Sequence, residues 1–239
     1  MTRTIPQLLR YRDLDPAALN VDWQLHTTWT DGRMSVKEVL ETAAARRLHS
    51  IAFTEHVRRD TAWFGDFARE VREEALAFPE IEVLTGCEAK ALDTAGSLDV
   101  SDEVRAQCDL VLGVVHRFPD GRGGLLDFST LDATRCAEIE CELSLGLLRA
   151  APIHVLGHPG GMTQRKFGHF PSALFRRMIE ASLERGIAIE INASYLRDAA
   201  AFLDLCEELN PFISIGSDAH GAEEIACCRD MLLQSGRFL

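Results

Sequence analysis

The sequence predicts an α/β fold: a closed or nearly closed barrel of seven strand–helix units in a single domain spanning residues 1–239. Three observations predict it. Short, almost continuous apolar runs recur along the chain, stretches with helical periodicity separate them, and no repeat, low-complexity segment or Pro/Gly/Ser linker divides it. Alternation of this kind builds a parallel sheet covered by helices. A doubly wound open sheet is the alternative topology.

The strand candidates are Val21–His26, Ser50–Thr54, Ile81–Glu88, Leu110–His116, Ile153–Gly157, Ile187–Ile191 and Ile213–Gly216. Strands buried on both faces need no apolar–polar alternation, so unbroken apolar runs suit them. Between the first two, Ser35-Val36-Lys37-Glu38 is a capping box, in which the Ser hydroxyl and the Glu carboxylate satisfy each other's free backbone N–H groups. Val36, Val39, Leu40, Ala43 and Leu48 then repeat along one helical face. Pro171 can open a helix running to Arg185, and Gly186 suits its end.

With 46% hydrophobic and 26% charged residues, the chain can bury a sizeable core. No apolar run approaches the ~18 residues that cross a bilayer, and the start lacks an apolar stretch long enough for export. The seven cysteines form no Cys-x-x-Cys pair, so reduced, buried thiols in a cytoplasmic protein are expected. A formal charge of −12 opposes stable nucleic-acid binding, which depends on basic surface.

The informative residues sit at strand ends. His26 closes the first candidate, Glu55-His56 follow the second, Glu88 closes the third and His116 the fourth. His158, Asn192, and the pair Asp218 and His220 follow the fifth, sixth and seventh. In a barrel these ends converge on one rim, so residues distant in sequence would share a pocket. One such His would be an ordinary structural hydrogen-bonder. Imidazoles and carboxylates at the same end of so many strands instead suit divalent Zn, Mn or Fe. Three other histidines fall outside the pattern: His49 at a helix end, His154 within a strand, and His169 in a loop that could reach the pocket.

These residues resemble the PHP (polymerase and histidinol phosphatase) superfamily. Gln24-Leu25-His26-Thr27-Thr28-Trp29-Thr30-Asp31-Gly32 is similar to its opening His-x-His-Thr-x-x-Ser-Asp-Gly, and Thr54-Glu55-His56 to its Thr-Asp-His. Gly86-Cys87-Glu88, Val115-His116, Gly157-His158-Pro159 and Ser217-Asp218-Ala219-His220 resemble the remaining motifs. The resemblance implies a distorted (β/α)7 barrel holding two or three divalent metal ions. It assigns His26, Glu88 and Asp218 to the first ion, Glu88, His116 and His158 to the second, and Asp31, His56 and His220 to the third. Gln24 replaces the usual first His, which makes it a weak or absent ligand and the first ion weakly held. Glu55 replaces the usual Asp, a mild change beside the expected ligand His56.

The implied reaction is hydrolysis of a small-molecule phosphomonoester such as histidinol phosphate, a nucleotide or a sugar phosphate, by a metal-bound hydroxide. Glu88, Asp218 and His220 would be catalytic. Arg58, Arg59, Arg117 and Arg165 could grip the substrate, since a guanidinium matches phosphate oxygens with two parallel bonds. Trp29, Trp63 and Phe64 could stack on a leaving group, or pack as loop residues. Asn192 could orient a ligand or water from behind. Hydrolysis of a non-phosphate bond and a non-catalytic binding module are the alternatives.

Overall fold

The computed structural model describes residues 8–238. Its strands are Leu9–Arg10 (β1), Val21–Leu25 (β2), Ser50–His56 (β3), Glu82–Lys90 (β4), Leu110–Val114 (β5), Val155–Leu156 (β6), Ala188–Asn192 (β7) and Phe212–Gly216 (β8). They form one sheet in the order β1-β8-β7-β6-β5-β4-β3-β2. From β2 to β8 every pairing is parallel, and β1 runs antiparallel to β8. The seven parallel strands are those expected. The two-residue β1 is an addition, too short to show any periodicity in sequence.

The sheet curls until its first and last parallel strands meet. No continuous ladder joins β2 to β8; a single parallel bridge, Leu25 to Ala219, does. The backbone N–H of His26 donates to Ala219 O at 3.0 Å. Buried Asp22 completes the seam, accepting from Ser217 N at 2.9 Å and Ala226 N at 2.8 Å. The barrel is therefore distorted at this seam.

Helices cover its outside: Val36–Ala45 (α1), Phe64–Ala75 (α2), Asp102–Arg105 (α3), Ala133–Ala150 (α4), Gly161–Phe167 (α5), Ser172–Arg185 (α6), Ala199–Leu209 (α7) and Cys227–Gln234 (α8). The capping box of α1 forms as expected, with Ser35 N donating to Glu38 Oε2 at 2.8 Å and Glu38 N to Ser35 Oγ at 3.3 Å. Val36, Val39, Leu40 and Ala43 are buried beneath it. Pro171 caps α6, and Gly186 ends it at φ 66°, a left-handed conformation that glycine adopts without strain.

β6 is shorter than the expected Ile153–Gly157. At its start the His154 ring stands in for a backbone carbonyl: Val111 N donates to His154 Nδ1 at 2.9 Å, while His154 N donates to Val111 O at 2.9 Å. His154 is thus structural, and the ladder begins one residue later. All seven cysteines are free, and all but Cys227 are buried. Among the described residues no helix is long and apolar enough to cross a membrane.

Candidate metal centre

Glu88, near the end of β4 and wholly buried, is the hub of the barrel rim. Its Oε1 lies 3.3 Å from His56 Nδ1, 3.2 Å from His116 Nε2 and 3.9 Å from His158 Nε2. Its Oε2 lies 3.3 Å from His26 Nε2, which is 3.0 Å from Asp218 Oδ1. On the outer side, Asp31 Oδ2 is 3.2 Å from His56 Nε2, and Asp31 Oδ1 is 3.3 Å from His220 Nε2. Parallel strands in register produce this convergence, since His56 of β3 pairs directly with Glu88 of β4.

Two of these residues carry unusual backbone. His158 has φ 26° and Asp218 φ 56°, both in the left-handed region that side chains disfavour. Such strain persists only where surrounding structure holds it, and it concentrates at functional sites. The loop bearing Asp31 is held by Glu55, whose buried carboxylate accepts from Thr27 N at 2.8 Å, from Thr27 Oγ1 at 2.6 Å, and from Thr30 Oγ1. The Glu that replaces the usual Asp thus fastens that loop to β3.

The donor atoms fit metal ions better than one another. His26 Nδ1 and Nε2, His56 Nδ1, His158 Nδ1, Glu88 Oε1 and Asp218 Oδ1 are buried without a hydrogen-bond partner. Leaving a buried polar atom unsatisfied costs about 1–3 kcal/mol. Among the described residues, three donor groups have their atoms within 4.8 Å of one another: His26, Asp31, His56 and His220; His56, Glu88 and His116; and His26, Glu88 and Asp218. Nitrogen and carboxylate donors in this mixture suit Zn, Mn or Fe.

Electrostatics within the cluster agree. Burial alone would raise the Glu88 carboxyl, but His116, His158, His26 and His56 hold it well below the usual carboxylate range. Burial depresses both His158 and His116, yet Glu88 lifts His158 to about 9 while His116 falls to about 4. Their Nε2 atoms are 3.1 Å apart, so two protonated rings would repel strongly.

A family model for the PHP domain matches residues 22–194. The chain belongs to the PHP domain family. It is 24% identical over 217 residues to the DNA polymerase/3'-5' exonuclease PolX of Bacillus subtilis, covering 84% of this chain and 34% of that one. A probable phosphatase of Caldicellulosiruptor bescii is 29% identical over 157 residues, covering 62% of this chain and 57% of that protein. This PHP domain therefore spans between a third and just over half of these relatives' length. Among solved structures, it resembles histidinol phosphate phosphatase from Lactococcus lactis, determined with zinc, L-histidinol and phosphate. The TM-score is 0.72 at 17% identity, over 92% of this chain and 94% of that one, which is a likeness of fold.

Above the cluster this PHP domain has a cavity of about 900 Å³, lined by His56, His116, Asp218 and His220 on its floor. Arg58, Arg117, Arg165, Trp29 and Trp63 also line it. Two expectations fail. Arg59 does not line this cavity; its Nε donates to Leu98 O at 3.3 Å and its backbone N–H to Asp99 Oδ1 at 3.0 Å. Phe64 is core, packed on Phe67, because it opens α2 on that helix's buried face. His169 is exposed and stays outside the cavity.

Gln24, expected as a weak or absent ligand, is held as a hydrogen-bond donor. Ser194 N donates to Asn192 Oδ1 at 3.0 Å, and a backbone N–H can only donate. Asn192 therefore turns its Nδ2 to Gln24 Oε1, 2.9 Å away. Gln24 is left to point its own Nε2 at Glu88 Oε2, at 2.7 Å. Its one oxygen faces away from the cluster.

Sequence reading missed Tyr195, which stacks on His158 with ring centroids 4.6 Å apart. It also missed Lys90, on the cavity wall. Lys90 had a signal: it lies two residues beyond Glu88 on one strand, and strand side chains repeat every second residue. Glu190, buried behind His158 and accepting its N–H at 2.6 Å, carried none, because it sits inside an apolar run.

Proposed function

We propose that this PHP domain is a metal-dependent phosphatase acting on a small-molecule phosphomonoester. The observation that carries the reading is the set of histidines and carboxylates gathered around Glu88, with buried donor atoms unpartnered, beneath a cavity lined by three arginines. The likeness to a probable phosphatase and to a phosphatase fold supports it.

His26, Asp31, His56, Glu88, His116, His158, Asp218 and His220 would hold the ions. When bound, divalent ions acidify coordinated water and neutralise charge developing on a phosphoryl group. The chain's own residues do the rest. Arg58, Arg117 and Arg165 would draw the anionic substrate into the cavity, where guanidinium groups can grip phosphate through paired N–H donors. Asp218, whose Oδ1 lacks a hydrogen-bond partner, can take a proton from the attacking water. His220 Nδ1 faces Asp218 O at 2.8 Å and so carries the ring proton, which leaves the Nε2 lone pair beside Asp31 to hold an ion, and the departing oxygen would take its proton from solvent water.

Gln24 bears on the number of ions. Its amide N–H groups occupy Glu88 Oε2, an oxygen that the first ion would need. This supports two firmly held ions, one with Glu88, His116 and His158 and one with Asp31, His56 and His220, and a depleted first site at His26 and Asp218.

Release of phosphate from an aryl phosphate, assayed beside an aryl acetate with Mn²⁺, Zn²⁺ or Fe²⁺, tests the reading. Phosphate release abolished in Asp218→Asn is expected. Turnover of the acetate alone would mean a different hydrolase, and turnover of neither would mean a binding module.

A further inference from the structure

Arg58, Lys90 and Arg117 form a group of cations that one phosphate does not explain. They project from the ends of β3, β4 and β5, three adjacent strands. All three line the cavity above Glu88, and all three also line a neighbouring cavity of about 660 Å³. They are the wall between the two. None of their side chains makes a hydrogen bond or ion pair with another described residue.

Of the carboxylates near this wall, Asp60 lines the first cavity, and Asp93 and Asp99, on the second, accept backbone N–H groups. Asp99 Oδ1 accepts the backbone N–H of Arg59 at 3.0 Å. Asp93 Oδ1 accepts from Ala95 N at 2.9 Å and Ser97 N at 3.0 Å. The second cavity is otherwise apolar in a telling way. Leu92 and Leu125, 36% and 53% exposed, are two of the three exposed large hydrophobic residues described, and both face it. Charge sharpens the point. Two divalent ions against Asp31, Glu88 and Asp218 leave one net positive charge, and a phosphate monoester brings close to two negative ones. Asp60, which also lines the first cavity, cancels that positive charge, so a single phosphate is balanced by Arg165 and one cation of the wall, and two of the wall's cations are left over.

We propose that Arg58, Lys90 and Arg117 form a second anion subsite, so that the substrate is a small molecule with two phosphates. One phosphate lies over Glu88, the other between the three cations, and the part of the molecule beyond that second phosphate reaches Leu92 and Leu125. The proposal rests on the phosphatase reading and narrows its substrate class. The geometry favours a phosphate over a carboxylate as second anion, because three cations approach from three strands rather than one fork from one side.

Calorimetric titration of the metal-loaded protein with alkane diphosphonates of increasing length, against alkyl monophosphonates of matching length, tests it without turnover. At least one diphosphonate is expected to bind about tenfold tighter than its partner. Lys90→Gln should remove that preference and Lys90→Arg should keep it. Equal affinities across the series on the unsubstituted protein would overturn the subsite, as would a preference that survives Lys90→Gln. If Lys90→Gln fails to fold, the unsubstituted comparison still decides. Dicarboxylates binding as well as diphosphonates would overturn the choice of phosphate. Aryl phosphate turnover without any diphosphonate preference would sink this inference alone, whereas no turnover of any phosphate ester would sink the phosphatase reading.

Discussion

Asn192 Nδ2 donates to Gln24 Oε1 at 2.9 Å, and through that one bond decides which end of Gln24 meets Glu88. The backbone N–H of Ser194 fixes Asn192 in turn. An amide stands where the family pattern has an imidazole, and it is held as a donor. Gln24→His should therefore raise the metal content from two to three ions per chain, counted by elemental analysis after gel filtration. Three ions already bound to the unsubstituted protein would contradict this account of Gln24.

Glu55 fastens the loop that carries Asp31. Glu55→Gln keeps the shape but turns an N–H₂ toward groups that donate, so the loop should loosen. A buried donor left unpaired costs about 1–3 kcal/mol. The expected result is loss of the ion shared by Asp31, His56 and His220, with the ion at Glu88, His116 and His158 retained. Metal counting again reads it, and unchanged content would show that the loop stays put unaided.

Arg117 lines both cavities and is not one of the donor residues of the cluster. Arg117→Ala should raise KM by about tenfold, the ~1.4 kcal/mol of a charge-assisted contact, and leave metal content intact. Steady-state kinetics that match the unsubstituted protein would remove Arg117 from the substrate's path.

Glu140 of α4 ties α5 to the barrel, accepting from Met162 N and Thr163 N, both at 2.9 Å, and from Thr163 Oγ1 at 2.6 Å. Burial nevertheless raises its carboxyl from 4.5 to about 7. The folded chain thus holds this proton more tightly than the unfolded chain. Its ionisation penalty is absent below pH 4.5, grows through that window and is complete above about 7, reaching about 3 kcal/mol at most. Glu140→Gln lacks the titration. It should be less stable than the unsubstituted protein at pH 5, where the acid still accepts its bonds, and the gap should narrow by pH 8. Urea unfolding at both pH values measures it; a gap that stays constant or widens rules out the assignment.

Much of the fold was legible because it is written in local terms. Apolar runs marked seven parallel strands, and Ser35 with Glu38 announced the start of α1. The extent of β6 was not legible, since the His154 ring replaces a backbone acceptor on another strand. Phe64 was misread because a helix start and a loop look alike around Trp63-Phe64, and only the burial of the α2 face separates them. Arg58 and Arg59 are indistinguishable as neighbours in a sequence. One lines both cavities and the other hydrogen-bonds the chain at Leu98, a choice made by side-chain direction alone.

By itself the sequence determined the order of the strands' apolar runs and the placing of His, Asp and Glu at their ends, because strand burial and side-chain type are properties of short segments. Tertiary structure alone decided the rest. It turned the Gln24 oxygen away through Asn192, set Lys90 beside Arg58 and Arg117, and seated Glu190 behind His158. Each of those outcomes joins residues far apart in sequence, at strands or the loops that follow them, and depends on distances that exist only after the sheet has curled.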